Sequence, residues 1–198
     1  MTLIKQYWGN KLVPYNPKNI YELGLQKDTI SFLLNVGVIK NKVYEEISRF
    51  RFLDTPFREN INGINFVKIA ENFFNPERGL YIKIGCDSLY TENDFCNSSF
   101  EQFILFETIK SKITASEPNV CDDAIKGYEC AREIIEHFKK ADPAAIKPYS
   151  FWCVELISYA INYFYDEEER FKEVLRRGNY ACIEDIWFEV LINGFKTI

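Results

Sequence analysis

The stretch LYIKIGCDSLYTENDFCNSSFEQFILF, residues 80–106, contains both hydrophobic periods from which the fold class follows. Its first residues alternate apolar side chains, at Leu80, Ile82 and Ile84, with Tyr and Lys. This period of two predicts a β-strand with one apolar face. From Asn97 onward the apolar residues fall at helical spacing instead. The sequence therefore predicts a strand and then a helix that turns an apolar stripe inward.

The start of this helix carries a capping signal. Ser98 is followed three residues later by Glu101, which is the capping-box pattern in which both side chains satisfy free backbone N–H groups. Phe100, Phe103 and Ile104 then lie on one side of the helix. We therefore predict that the helix is capped at residue 98 and buries these three side chains.

The residues before this stretch predict an antiparallel sheet preceded by one short helix. Between residues 47 and 84, β-branched and aromatic residues lie between turn signals. Asn62-Gly63 is a hairpin turn signal because both residues tolerate a positive φ. Upstream, Asp28 can cap a short helix that Gly37 ends. The first twenty residues predict an irregular or loosely strand-like segment.

The residues after this stretch predict helices. One helix is expected from Asp122 or Asp123 to Lys140, and its apolar side is expected to consist of Ile125, Tyr128, Ala131, Ile134, Ile135 and Phe138. Another starts near Ser150, and we expect its apolar stripe to be buried: Phe151, Val154, Ile157, Ser158, Ile161 and Phe164. The pattern as a whole therefore predicts an antiparallel sheet followed by a helical C-terminal part.

Charge limits the classes of partner. The chain of 198 residues has a net charge of −5, and no Lys or Arg lies between Ile84 and Ile109. Five acids occur in that interval: Asp87, Glu92, Asp94, Glu101 and Glu107. Binding of nucleic acid needs a basic patch, so we predict no nucleic-acid partner. A basic protein is the natural complement, although mild acidity that keeps a protein soluble is the simpler interpretation.

The cysteines and the N-terminal residues predict a cytoplasmic protein. MTLIKQYWGN lacks the apolar run of a signal peptide, and no apolar stretch is long enough for a membrane span. The six cysteines are therefore expected to be free thiols. None is spaced as C-x-x-C and His137 is the only histidine, so we predict no metal site, no cofactor and no membrane contact.

No catalytic residue is predicted. His137 lies late in a predicted helix, where an exposed flank explains it without a function, and nothing in the sequence brings it to a cysteine. The common nucleophile, phosphate-binding and zinc-protease motifs are absent from the sequence. We therefore predict a protein that is not an enzyme, with a thiol enzyme as an alternative.

Four segments resemble one known family when they are taken in order. They are the stretch from Leu23-Gly24-Leu25 through LLNVGVIKN, LYIKIGCD at 80–87, NSSFEQFILF at 97–106 and ADPAAIKPYSFW at 141–152. Together they resemble the SUKH superfamily, and most closely its fourth immunity subgroup, over most of residues 20–155. The resemblance implies an α+β fold, a twisted and mainly antiparallel sheet with helices packed against it, and we predict one domain, 1–198. Residues 156–198 have no counterpart in the family and are predicted to form a helical C-terminal extension. Family members usually have one or two further strands before the NSS helix, and here only residues 86–96 intervene.

The resemblance also implies a function. Bacterial members are generally inferred to be immunity proteins of polymorphic toxin systems, and fungal relatives regulate cell-wall synthesis. We therefore expect an immunity protein that binds a cognate nuclease or deaminase toxin, with a non-enzymatic regulatory scaffold as the alternative and a homodimer as a further possibility. The loop after the Ile-Gly strand supplies the candidate toxin contacts, which are Asp87, Tyr90, Glu92, Asp94 and Phe95.

Overall fold

The computed structural model describes residues 2–40, 48, 50–91, 94–116 and 122–197. Within them the chain has an α+β fold, as predicted. It divides into two compact units, Met1–Thr108 and Ile109–Ile198. All described strands belong to the first unit, and the second unit is helical over its described part. The predicted extension starting at residue 156 would begin inside a helix, whereas the single-domain organisation stays a prediction.

The main sheet of the first unit is an antiparallel meander of five strands in the order β3-β4-β5-β6-β7. Its strands are β3 (Phe50–Ile61), β4 (Ile64–Asn72), β5 (Gly79–Lys83), β6 (Leu89–Thr91) and β7 (Asp94–Asn97). A second, two-stranded antiparallel sheet pairs β1 (Leu12–Val13) with β2 (Val38–Ile39).

The predicted hairpin turn is confirmed. Asn62 and Gly63 have φ values of 52° and 83°, and they join Ile61 to its cross-strand partner Ile64. Two positive φ values in a two-residue loop match the twist of paired antiparallel strands.

The predicted strand that begins at Leu80 is confirmed as β5, and Tyr81 is buried together with Leu80 and Ile82. One expectation for the following residues was wrong. The segment predicted as a loop after residue 85 contains β6 and β7, which extend the sheet to five strands. Strands of three and four residues are too short for an alternating pattern to stand out.

Helices of the first unit differ from prediction at their starts. Helix α1 (Thr2–Trp8) replaces the expected irregular segment, and Trp8 Nε1 donates a hydrogen bond of 2.8 Å to Thr108 Oγ1. Helix α2 (Lys27–Asn35) has Gln26 rather than Asp28 at its N-cap. Its predicted end is confirmed, since Gly37 has a φ of +87°.

Helix α3 (Phe100–Ser116) follows the sheet and runs across the boundary between the units. It starts one residue later than predicted, and the hydroxyl of Ser99 accepts a hydrogen bond from the backbone N–H of Gln102. The predicted apolar side is buried: Phe100, Phe103 and Ile104.

Phe100 and Phe103 pack α3 against the sheet. The Phe100 ring centroid is 5.9 Å from those of Phe32 on α2 and Phe52 on β3, and the Phe103 centroid is 6.3 Å from that of Phe50. These edge-to-face contacts form the core of the first unit, and buried aromatic pairs of this kind add to the free energy gained by burial alone.

Besides the end of α3, the second unit contains four described α-helices. They are α4 (Ala124–Ala141), α5 (Phe151–Asp166), α6 (Glu168–Arg176) and α7 (Ile183–Asn193). The predicted start of α4 is confirmed, because the Asp123 carboxylate accepts a hydrogen bond from the Lys126 backbone N–H. Helix α5 packs against α4 and α7. No described helix combines the length and the apolar character that crossing a bilayer requires.

The predicted buried faces of α4 and α5 were partly wrong. Ile125 is exposed, and so are Val154 and Ser158 of the expected α5 stripe. Phe164 is buried as predicted, and it shares the buried side of α5 with Trp152, Cys153, Leu156 and Ala160. Helix α5 is apolar on nearly every side, so its own periodicity does not decide which side the neighbouring helices cover.

Gly37 tests how tightly the small sheet holds the end of α2. A Cβ at this position would overlap the Val13 carbonyl group, whereas a Cβ at Gly63, with nearly the same φ, meets nothing within 4 Å. We expect Gly63→Ala to lower the free energy of unfolding by about 1–2 kcal/mol, from the positive φ alone. Gly37→Ala should lower it by about 3 kcal/mol or more, because the overlap adds to that strain. Urea denaturation of both variants measures the difference, and equal losses would contradict this packing.

Candidate functional site

One row of side chains crosses all five strands of the main sheet. The register pairs Phe57 with Lys68, Lys68 with Tyr81, Tyr81 with Tyr90 and Tyr90 with Phe95. Residues that lie directly opposite each other on paired strands point to the same side of a sheet. We call these five residues the outer row.

The outer row faces away from helix α3. The neighbouring row on the opposite side runs from Phe52 through Ala70, Leu80 and Thr91 to Asp94, and Phe52 contacts Phe100 of α3. Successive residues of a strand alternate between faces, and the two rows hold successive residues on β5, β6 and β7, so the outer row lies on the other face. On β3 and β4 the two rows are separated by register shifts, between Phe52 and Phe57 and between Lys68 and Ala70.

The centre of the outer row is closed. Lys68 Nζ lies 5.6 Å from the Tyr81 ring centroid and donates a 3.0 Å hydrogen bond to the Pro76 carbonyl oxygen. The Tyr81 hydroxyl donates to the Glu77 carbonyl oxygen at 3.3 Å. The turn between β4 and β5 thus covers this part of the face, and both side chains are buried.

The ends of the outer row reach the surface. Phe57 is 48% exposed at one end, and Tyr90 and Phe95 are partly exposed at the other. Tyr90 packs edge-to-face against Phe95 and against the buried Phe66, with 5.8 Å between ring centroids in each case. Tyr90 and Phe95 are therefore aromatic side chains that are held in place on a sheet and still accessible.

Asp87 was predicted as a toxin contact, and the structure places it inside the fold. It is 4% exposed, has a φ of +56° and accepts a 2.8 Å hydrogen bond from the Gln26 backbone N–H. Gln26 Nε2 in turn donates to the Gly85 carbonyl oxygen at 2.7 Å. Asp87 therefore connects the β5–β6 turn to the start of α2, and we leave it out of the candidate surface.

The remaining predicted acids do not form one patch. Asp94 is exposed, but it ends the row on the opposite side of the sheet from Tyr90 and Phe95. Glu92 lies outside the described residues. Glu107 is buried in α3, while Glu101 is exposed in the first turn of that helix. The acidic interval seen in the sequence is thus divided between interior and surface.

The buried cysteines have no features of a catalytic thiol. Burial raises the pKa of Cys96 to about 12 and also raises the pKa of Cys153. Such thiols remain protonated near neutral pH and are poor nucleophiles. Cys130 is buried too, Cys86 is exposed, and His137 is exposed on α4 as predicted. Among the described residues no three His, Cys, Asp or Glu side chains are grouped so that they could hold a metal ion.

A polar cluster at the start of α7 was missed in the sequence. The Tyr149 hydroxyl donates to the Asp185 carboxylate and lies 3.6 Å from Cys182 Sγ. The hydrogen bond with Asp185 raises the pKa of Tyr149 and lowers that of Asp185. Asp185 also accepts from the backbone N–H groups of Ala181 and Cys182. The cluster therefore caps α7, and only the fold brings Tyr149 to it across 36 residues.

No family model, curated protein or solved structure matches this chain. Its function therefore has to be proposed from its own residues.

Alkylation measures the accessibility of the thiols. We expect Cys86 to react with iodoacetamide at pH 8 in the native protein, and Cys96, Cys130 and Cys153 to react at least about 100-fold more slowly, because burial limits access and a raised pKa leaves little thiolate. Mass spectrometry of the labelled peptides gives the rates, and labelling in denaturant is the control. Fast labelling of Cys96 or Cys153 at pH 6 would instead favour a thiol enzyme.

Proposed function

We propose that this chain is a non-catalytic binding protein of SUKH type that neutralises a toxin by direct contact, and that the β6–β7 hairpin is part of the contact surface. One observation carries the proposal. Tyr90 and Phe95 form the accessible end of the outer row, with exposed Asp94 on the same hairpin.

The aromatic pair has the properties of an interface anchor. Tyrosine and phenylalanine bury a large area with few rotatable bonds, and tyrosine is enriched among residues that dominate binding energy. Phe66 supports the Tyr90 ring from the adjacent part of the sheet. Because the two rings are already held in the free protein, little conformational entropy is lost when a partner covers them.

The charge around the hairpin suits a basic partner. Asp94 is exposed, and neither the hairpin nor the rest of the interval from Ile84 to Ile109 contains a lysine or arginine. Toxins that act on nucleic acid commonly have basic surfaces, since they bind phosphates. Opposite charge near an interface speeds association, which suits an inhibitor that has to reach its target before damage occurs.

The strand count is consistent with the resemblance on which the proposal also rests. The family usually has one or two strands between the Ile-Gly strand and the NSS helix, and β6 and β7 occupy this interval. Within the described residues, the sheet is antiparallel throughout and is followed by a helix that packs on one face.

Coexpression tests the function and the surface together. Expression of the gene immediately upstream of this one should arrest a host that lacks this protein and be harmless beside the wild type. We expect Tyr90→Ala combined with Phe95→Ala to raise the dissociation constant at least about 30-fold, as the loss of a binding hot spot does, and to abolish protection.

Tyr21→Ala is the matched control, because Tyr21 is an exposed tyrosine on another part of the first unit. It should protect as the wild type does. Circular dichroism and urea denaturation establish that each variant is folded. Equal toxicity with and without the wild-type protein would overturn the immunity function, whereas full protection by the double variant would exclude only this surface.

Asp94→Lys tests separately how much the charge of Asp94 contributes to the association rate. We expect a slower association with a basic toxin, by about tenfold at low salt, and a difference that shrinks toward zero in high salt because exposed charges are screened. Glu133→Lys is the control, since Glu133 is an exposed acid in the middle of α4. Stopped-flow or surface-binding kinetics in a salt series give the rates. If both variants slow association equally, the effect comes from the net charge of the protein and not from the position of Asp94.

A regulatory scaffold remains the second proposal, as the fungal relatives of the family imply. Affinity capture from the native host separates the two. A stable housekeeping complex together with the absence of a toxin target favours the scaffold, and a single toxin partner favours immunity.

A further inference from the structure

The segment that follows helix α7, Phe195–Thr197, rests on the second unit by its aromatic side chain. Gly194 ends α7 with a φ of +83°, and the next three residues form a short 3-10 helix. Within the described part of the chain, this segment forms hydrogen bonds only with Gly194, whose carbonyl oxygen accepts from the backbone N–H and the hydroxyl of Thr197. We call Phe195–Thr197 the tail.

Phe195 lies among three aromatic rings and one guanidinium group. Its ring is stacked on Phe171, with 5.8 Å between centroids, and packs edge-to-face against Tyr128 and Tyr163 at 5.9 Å each. Arg170 Cζ lies 4.2 Å from the Phe195 ring centroid. We call the four surrounding residues the aromatic site. They belong to α4, α5 and α6, so the helices build the site and the tail fills it.

The aromatic site is supported by contacts that do not involve Phe195. Tyr128 and Tyr163 stack on each other with 4.5 Å between ring centroids. Phe171 and Tyr128 both pack edge-to-face against buried Phe164, at 5.9 Å and 6.2 Å. Because these rings hold one another, the site keeps its shape when the Phe195 ring leaves, and an incoming ring loses little free energy to reorganisation of the site.

We propose that the aromatic site binds a phenylalanine side chain of another protein, and that Phe195 fills the site in cis until this partner displaces it. The chemistry of the occupant follows from what the site already holds, a phenyl ring carried by a short segment. Stacking on Phe171 and the guanidinium of Arg170 both favour an aromatic ring over an aliphatic side chain. Phe195 is partly exposed in the site, so a partner reaches it from the surface.

Gly194 lets the tail leave while helix α7 stays formed. The last hydrogen bond of α7 runs from the Gly194 N–H to the Val190 carbonyl oxygen and precedes the tail. The φ of +83° and ψ of 171° at Gly194 belong to a region that glycine alone adopts readily. Segments with few buried contacts and few hydrogen bonds to their surroundings open at low free energy. The closed tail is therefore a competitor for the site whose strength depends on one ring and one glycine.

Titration with the peptide acetyl-NGFKT-amide, which has the sequence of residues 193–197, tests the proposal on the full chain. NMR chemical shifts of the isotope-labelled protein at millimolar peptide give the dissociation constant, and NOEs from the peptide ring to Tyr128 and Tyr163 locate it. We expect Phe195→Ala to bind the peptide at least about tenfold more tightly than the wild type, because a closed tail reduces the apparent affinity to the open fraction. Leucine in place of the peptide phenylalanine should weaken binding to this variant at least about threefold.

Gly194→Ala tests the tail without removing a ring. A Cβ at this position meets Arg132 Nη2 at 3.6 Å, an ordinary contact, so the strain of the positive φ is its main effect. Opening of the tail relieves this strain, and we expect a peptide affinity between those of the wild type and Phe195→Ala. Phe74→Ala is the matched control, because Phe74 is an exposed phenylalanine of the first unit. It should bind the peptide as the wild type does.

Equal peptide affinities of the wild type and Phe195→Ala would overturn the proposal. So would NOEs to rings outside the aromatic site, equal binding of the leucine peptide, or the absence of binding to every variant. Circular dichroism and urea denaturation establish that Phe195→Ala is folded. If it is not, the comparison of Gly194→Ala with the wild type decides, and equal affinities of these two would overturn the proposal. None of these measurements involves a toxin or the β6–β7 hairpin, so the result is independent of the proposed function.

Discussion

The packing of Phe100 and Phe103 against the sheet is the constraint on which the first unit depends. Once these rings contact Phe32, Phe50 and Phe52, one face of the sheet is committed to the core. Side chains alternate between the two faces along a strand, so the strand neighbours of the residues that face the core point to the other face. The position of Tyr81, Tyr90 and Phe95 on the outer face is thus a consequence of how the inner face is filled.

The same constraint separates acids that are neighbours in sequence. Asp87 turns inward at a positive φ and holds the backbone of Gln26, and Glu107 is buried in α3. Asp94 remains at the surface at the end of the inner row. The exposed carboxylate of Asp94 and the two aromatic rings of Tyr90 and Phe95 therefore lie on opposite faces of the same hairpin, and the acids of this interval do not form a continuous acidic surface.

The second unit follows a different principle. Its helices are positioned by burial of one side of α5 against α4 and α7, and α5 has enough apolar residues for two sides. The outer row, in contrast, is defined by strand pairing within the first unit.

The sequence by itself determined the α+β class, the Asn62-Gly63 hairpin, the Gly37 helix end and the Asp123 cap, because each depends on a local period or on the preferred φ of one residue. The sequence also led us to predict Tyr90 and Phe95 as contact residues. Only the tertiary structure decided that Asp87 is interior, that β6 and β7 are strands and that Val154 faces outward. These features depend on neighbours far along the chain, and a residue's own periodicity carries no information about which of two apolar sides those neighbours will cover.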